Sequence, residues 1–415
     1  MSTSFDIIVI GGGTGGIMTA SQMLKAKPSL NIAIIEPSDT HYYQPAWTLV
    51  GAGDYDYKKT ARPMASVMPK KARWIKDRVI GLKPEENALT TALGNTYSYK
   101  YMVLSPGLTY DYSLVEGLGE AMDKGIVCSV YTDPIHVNKV LNNFKGGTAL
   151  FTMPTTPIKC GGAPQKIMYL ADSFFRKRNV RKNSKVVFAT PGGVIFGVKP
   201  IAKTLTEVID KKDIYVRYGH QLVKVDAEKQ IAWYKLGDNA RDYNKQDIQV
   251  DEENGLVGIH YDMLHTAPPS VAPDFVRYSN LVSEGGWLDV DIHTMQHKKF
   301  PNIFGIGDAA ALPTAKTGAA IRKQVPVVID NIFILMEHSK IGTMSYNGYS
   351  SCPLVTDYGK MVLAEFDYQN NFTPDPKLKQ LLIKDSSKEH WRLWILKKYM
   401  LPYLYWNKMM KGENV

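Results

Sequence analysis

The chain has 415 residues, 44% hydrophobic and 22% charged, with 50 basic against 40 acidic side chains and a formal net charge of +10. That length holds two or three cores, and the composition is globular, which excludes a disordered or fibrous chain. The positive balance suits anionic lipid headgroups, nucleic acid or small anions, but no nucleic-acid-binding motif and no run of five basic residues occurs, so nucleic acid is set aside. Three cysteines, Cys128, Cys160 and Cys352, make neither a secreted disulfide framework nor a zinc site, and no metal is expected. A core strand opening within about five residues of Met1 leaves no room for a signal or transit peptide as written. No apolar run reaches the roughly 18 residues of a spanning helix, so a soluble or peripheral protein is expected.

Residues 5–10, FDIIVI, form a continuous apolar run of the kind buried parallel strands show. They feed Gly11-Gly12-Gly13-Thr14-Gly15-Gly16, a G-x-G-x-x-G spacing, and residues 17–26 read as a helix. Gly11 permits the tight turn, Gly13 lets the backbone approach a pyrophosphate, and Gly16 lets helix and strand pack closely. A second strand, residues 31–35, ends at Glu36-Pro37, 20 residues beyond Gly16, where a carboxylate accepts hydrogen bonds from ribose hydroxyls.

Residues 101–107 are an apolar strand closing on Ser105-Pro106-Gly107, where the chain crosses between domains. Residues 113–275 hold a second αβ pattern, but neither candidate turn in it, at 154–162 or 191–193, carries G-x-G-x-x-G, so NAD(P)H binding there is not expected. Residues 300–308 form a strand delivering Gly307-Asp308 at its carboxyl end, where ligands of open α/β sheets bind. Asp308 is placed for ribityl hydroxyls or, alternatively, as a helix N-cap. A helix opening near Lys316-Thr317 can aim its positive end at a flavin. These features favour FAD over NAD.

Cys160 follows the strand of residues 148–153 and precedes a helix, whose positive end lowers a thiol pKa; Lys159 and Lys166 lie close in sequence. Cys352 sits 192 residues away in a turn entering a strand. Taken alone, each reads first as a small buried apolar side chain and alternatively as a candidate for thiol exchange. The last 30 residues open with Ser386-Ser387-Lys388-Glu389, which fits a capping box. Trp391, Trp394 and Ile395 follow at helical spacing with Lys397 and Lys398 beside them, then Pro402, expected to break or bend the helix, and Tyr403 to Trp406. Trp391, Trp394, Tyr403 and Trp406 suit a bilayer interface; the alternative is packing on the protein's own core. Removing everything beyond Asp385 is expected to leave flavin binding intact.

The segments EPSDTHYYQPAWTLVGAG, TPIKCGGAPQKIMYL, FGIGDAAALPTAKTGAA and YNGYSSCPLVT give the chain, nearly end to end, a resemblance to the sulfide:quinone oxidoreductases, in their mitochondrial-like branch. The resemblance implies an α/β protein with two Rossmann-like domains of the glutathione-reductase-like flavoprotein type and a C-terminal membrane-associating helical segment. Its expected divisions are 1–112 with 276–340 for FAD, 113–275 carrying Cys160, and 341–415 carrying Cys352. The implied cofactor residues are Gly11, Gly13, Thr14, Gly15, Gly16, Glu36, Pro37, Gln44, Ser105, Pro106, Gly107, Gly307, Asp308, Lys316 and Thr317. Cys160 and Cys352 are implied to form the redox-active pair. Sulfide attacks their bridge, a persulfide remains on Cys352, and electrons pass through one FAD to ubiquinone or menaquinone. Sulfite, glutathione or cyanide takes the sulfur. Cys128 departs from the mitochondrial pattern and stands as an inert thiol, a covalent flavin link or an accessory sulfur carrier. A peripheral site on the cytoplasmic face of a bacterial membrane is expected, and a homo-oligomer is left open. A type II NADH:quinone reductase and a non-catalytic flavin-binding sensor are the alternatives.

Overall fold

Apolar runs at 3–10, 32–35 and 96–104 become neighbours in one sheet, in a computed structural model that describes residues 3–338, 340 and 342–413. Arg73–Ile75, Ile32–Ile35, Thr3–Ile10 and Thr96–Leu104 run parallel in that spatial order. The free edge of Thr96–Leu104 is shared between antiparallel Ala88–Thr91 at its start and parallel Ile303–Gly305 at its end. Ile7, Ile8 and Val9 are wholly buried, as a strand covered on both faces requires. Register puts Ile10 opposite both Ile35 and Leu104, and Gly305 opposite Leu104, so these strands end together. The loops opening at Gly11, Glu36, Ser105 and Ile306 therefore converge on one edge.

The second sheet runs Val127–Cys128, Met263–Thr266, Gly147–Thr152, Ser184–Thr190 and Tyr215–Asp226 in parallel, then continues antiparallel through Ile231–Tyr243, Leu256–His260 and Val250–Glu253. Both sheets are Rossmann-like and the protein is α/β. The hairpin Ser350–Asp357 and Lys360–Phe366 packs against the helix Ala163–Lys177, which begins just after Cys160.

The C-terminal segment corrects several expectations. Its helix starts at Trp391, with the His390 ring accepting from the Arg392 N–H, and not at a Ser386–Glu389 capping box. The Ser386 carbonyl instead accepts from the Leu363 N–H, which draws this stretch onto the hairpin, and Glu389 accepts from Thr356. Pro402 does not break the helix. Helical backbone continues from Trp391 to Asn407, but its winding widens into a π turn, Leu396–Met400, directly before Pro402, so the proline distorts the helix without ending it.

Trp406 does not face lipid. It is buried with Tyr405, Met409 and Met410 in the core that also holds Ile7, Val9 and Ile17, and the Arg62 guanidinium lies 4.7 Å from its ring. Deleting the chain beyond Asp385 would remove Tyr405, Trp406, Met409 and Met410 from this core, which argues against an intact flavin site after truncation. Trp406→Ala should cost about 3–5 kcal/mol of stability, against about 0.5 kcal/mol or less for exposed Tyr403→Ala, read by urea unfolding of each variant.

Candidate functional site

The strand Gly147–Thr152 leaves the carboxyl edge of the second sheet and turns through two prolines to Cys160. Cys160 adopts φ +53°, a left-handed conformation that costs a residue with a Cβ roughly 1–2 kcal/mol. Three hydrogen bonds hold it there: its N–H donates to the Lys316 carbonyl at 2.7 Å, and its carbonyl accepts from the Ala163 N–H at 2.8 Å and the Tyr131 hydroxyl at 3.1 Å. Gly162 has an ordinary φ but no room for a side chain. A Cβ there would lie 2.7 Å from Cys352 Sγ and 2.4 Å from Leu354 Cδ2. Glycine is what lets the hairpin close on this turn.

The outcome is a pair of thiols 192 residues apart in sequence with Sγ atoms 3.4 Å apart. Bridging them needs an approach to about 2.05 Å. Lys166, in the first turn of the helix Ala163–Lys177 and 2% exposed, places Nζ 2.9 Å from Cys160 Sγ. Cys160 is held well below the usual thiol range by the hydrogen bond from Cys352, against the opposing effect of burial, with the charges of Lys166 and Lys397 adding to it. Cys352 moves the other way, because it donates to Cys160, is buried, and faces the Cys160 charge. Burial opposes charge on Lys166, but attraction to the two sulfurs outweighs it and its pKa rises. The reduced pair is thus one thiolate and one thiol.

Lys397 was expected at a lipid interface and instead turns inward, 2% exposed, donating to the Pro45 carbonyl at 2.7 Å. Burial and the neighbouring Lys166 charge pull its pKa down to about 7. Lys398 also turns inward, onto Asp54 at 2.7 Å. The sequence signal for both was spacing: neither falls on the four-residue repeat of Trp391, Ile395, Tyr399 and Tyr403, which are exposed. Met400, Leu381 and Leu382 are exposed as well, and Trp394 is half-buried under the Lys398 ammonium.

At the edge of the first sheet, a Cβ on Gly16 would sit 1.9 Å from the Gly11 carbonyl, and Gly11 itself has φ +98°, so both must be glycine. Gly13, N-cap of the helix Thr14–Ala26, faces open space, and no side chain among the described residues caps that helix. Uncapped N–H groups and the positive helix end suit a pyrophosphate. Glu36 accepts from the Gly12 N–H at 2.7 Å and lies beside this loop, with Pro37 and Gln44 exposed nearby in sequence. Ser105 packs against Gly11 and Gly16 and donates to the Ile10 carbonyl, and Pro106 and Gly107 continue the turn.

Asp308 lies in a short turn, Gly307–Ala309. It is not the N-cap of the following helix, since Thr317 takes that part by accepting from the Ala320 N–H. Lys316 donates to the Asp308 and Ala310 carbonyls and lies 4.0 Å from the Trp287 ring, with burial lowering its pKa to about 8. A backbone bridge between Lys159 and Lys316 sets the cysteine turn against this segment. The residues present fit a flavin dinucleotide running from the glycine loop to Lys316–Thr317 and the thiol pair.

Cys128 lies in the second sheet opposite His265, without exposed surface, and burial pushes its thiol up. Those surroundings favour the inert reading among the three. Tyr131, His41 and Tyr405 escaped the sequence reading, because single aromatics in aromatic-rich segments carry no spacing signal.

No family model matches the chain. Among curated proteins, the mitochondrial sulfide:quinone oxidoreductase of Mus musculus is 41% identical over 410 residues, covering 98% of this chain and 87% of that protein. The mitochondrial enzyme of Dictyostelium discoideum is 37% identical over 415 residues, covering 98% and 86%. Among solved structures, the sulfide:quinone oxidoreductase of the hyperthermophilic bacterium Aquifex aeolicus superposes with a TM-score of 0.77 at 18% identity, covering 99% of this chain and 92% of that one, a likeness of fold. The mitochondrial relatives overturn the expectation of a bacterial cytoplasmic membrane, which had rested on where the written chain starts. With these identities running almost end to end, the chain belongs to the sulfide:quinone oxidoreductase family.

Proposed function

We propose that Cys160 and Cys352 are the sulfur-handling pair of this oxidoreductase, working at a mitochondrial membrane. The observation that carries the reading is the 3.4 Å thiol pair with the Lys166 ammonium 2.9 Å from Cys160. In the oxidised pair, hydrosulfide attacks the Cys352 sulfur. The S–S bond breaks, a persulfide forms on Cys352, and the electron pair of the broken bond leaves as the Cys160 thiolate, with Lys166 and Lys397 beside it. A small nucleophile such as sulfite, glutathione or cyanide takes the outer sulfur and leaves a thiol on Cys352. Re-forming the bridge releases two electrons and the thiol proton. FAD, when bound along Gly11–Gly16, Glu36, Ser105–Gly107 and Gly307–Thr317, supplies the two-electron chemistry that joins this thiol couple to a membrane quinone, ubiquinone or menaquinone. The NADH-oxidising alternative is not favoured, because the turn after Ser184–Thr190 reads Pro191-Gly192-Gly193 and lacks a phosphate loop.

The exposed row Trp391, Ile395, Tyr399, Met400 and Tyr403 is the surface we assign to lipid, where a quinone is available. No helix among the described residues is long and apolar enough to cross a membrane.

Under anaerobic conditions sulfide should bleach the yellow protein and a soluble quinone should restore the colour. Cys160→Ser and Cys352→Ser should each abolish bleaching by sulfide, and bleaching that survives either change sinks the assignment. Cys160 alkylation by iodoacetamide should stay fast below the usual thiol pKa of about 8.5, since its own pKa is lowered. Lys166→Met removes the nearest positive charge and should move the midpoint of that pH profile upward by about one unit or more. Replacing Trp391, Tyr399 and Tyr403 together with serine should abolish sedimentation with anionic vesicles while leaving a folded, yellow protein; retained sedimentation would reject this face as the lipid contact.

A further inference from the structure

The segment that carries the exposed aromatic row also reaches the glycine loop. The Tyr405 hydroxyl lies 2.8 Å from Thr14 Oγ1 and 2.5 Å from His41 Nε2, and His41 Nδ1 lies 3.0 Å from the Gly12 carbonyl. Burial keeps His41 neutral, so its ring has one N–H and one acceptor nitrogen. A carbonyl can only accept, which assigns the proton to Nδ1 and makes Nε2 the acceptor. Tyr405 therefore donates to His41, and its oxygen is left to receive the Thr14 hydroxyl proton. The chain Thr14 to Tyr405 to His41 to Gly12 closes a ring of hydrogen bonds over both sides of Gly13, the residue that opens the phosphate-loop helix.

Neighbouring contacts pin this end of the chain to the same helix. Trp406 is buried under Arg62, the Ser21 hydroxyl donates to the Met410 carbonyl at 3.0 Å, and Gly412 lies so close to Ser21 and Gln22 that a Cβ would meet their backbone at 2.8 Å. Two residues before Tyr405, in the same helix, Tyr403 is 60% exposed. One short helix, Leu401–Asn407, thus has an exposed side and a side hydrogen-bonded to the glycine loop.

We propose that the C-terminal segment is a latch on the FAD phosphate loop, with Tyr405 as its positioning residue, so that docking of the Trp391–Tyr403 face on lipid and retention of FAD stabilise each other. The proposal rests on the lipid-contact reading given above. A ligand that favours the latched arrangement at one site favours binding at the other by the same factor. Lipid holds the helix in place, the helix holds Tyr405, and Tyr405 holds Thr14 and, through His41, Gly12.

The test uses the full-length, FAD-loaded protein and follows the rise of free-flavin fluorescence after dilution, with and without vesicles of phosphatidylcholine and phosphatidylglycerol, while co-sedimentation is measured in parallel. Wild-type protein should release FAD about fivefold more slowly, or slower still, on vesicles than in solution. Tyr405→Phe keeps the ring and loses the hydroxyl; in solution it should release FAD about three- to tenfold faster than wild type, and vesicles should change its rate little. A Trp391→Ser, Tyr403→Ser double variant leaves the loop untouched, so it should release FAD at the wild-type solution rate and ignore vesicles. A wild-type rate for Tyr405→Phe in solution overturns the latch. Vesicles that sediment with wild-type protein yet leave its release rate unchanged overturn the linkage while the lipid contact stands. Failure of wild-type protein to sediment at all overturns the lipid contact, and the linkage with it.

Discussion

A thiolate held between two buried lysines is the constraint around which the rest of this molecule is arranged. Placing a negative sulfur and an ammonium group out of water is costly unless each has partners in reach, and burial pulls the second lysine, Lys397, down to a pKa of about 7. Every partner here comes from a different part of the chain. Lys166 comes from the helix behind Cys160, Cys352 from a hairpin far along the sequence, and Lys397 from a C-terminal segment anchored at the Pro45 carbonyl. Gly162 supplies the space in which the hairpin and the turn meet, and the left-handed backbone at Cys160 aims its sulfur there.

The two sheets divide the chemistry. The first ends five parallel strands at one edge, where uncapped helix N–H groups and glycine turns suit a dinucleotide. The second uses the same strand-to-helix geometry at Thr152–Ala163, but its turn presents a cysteine rather than a phosphate loop. The backbone bridge from Lys159 to Lys316 ties the two edges together and sets the cysteine turn beside the segment that follows Asp308.

The glycine loop and Cys160 were legible in the sequence because their geometry is local. A G-x-G-x-x-G between an apolar strand and a helix leaves the backbone few arrangements, and Gly11 and Gly16 show why, since one needs a positive φ and the other has no room for a Cβ. The C-terminal aromatics were half legible. Trp391 and Tyr403 point outward as expected, but Trp406 and Lys397 turn inward. Amphipathic spacing identifies a helix with two faces; which face meets lipid and which meets protein depends on what lies beneath it. The capping box failed for a related reason, as Ser386 is drawn into a hydrogen bond with a hairpin residue that no local pattern could announce.

By itself, then, the sequence determined the strand–loop–helix that opens the chain, the cysteine at the second turn, and the absence of a second phosphate loop, because each is written in a few consecutive residues obeying local backbone sterics. Only the tertiary structure decided that Cys352 lies across from Cys160, that Lys397 turns inward onto the Pro45 carbonyl, and that Tyr405 closes over the glycine loop. These contacts join residues from 192 to 391 positions apart. Distances of that kind are settled by which buried faces exclude water together, and no local run of residues contains that information.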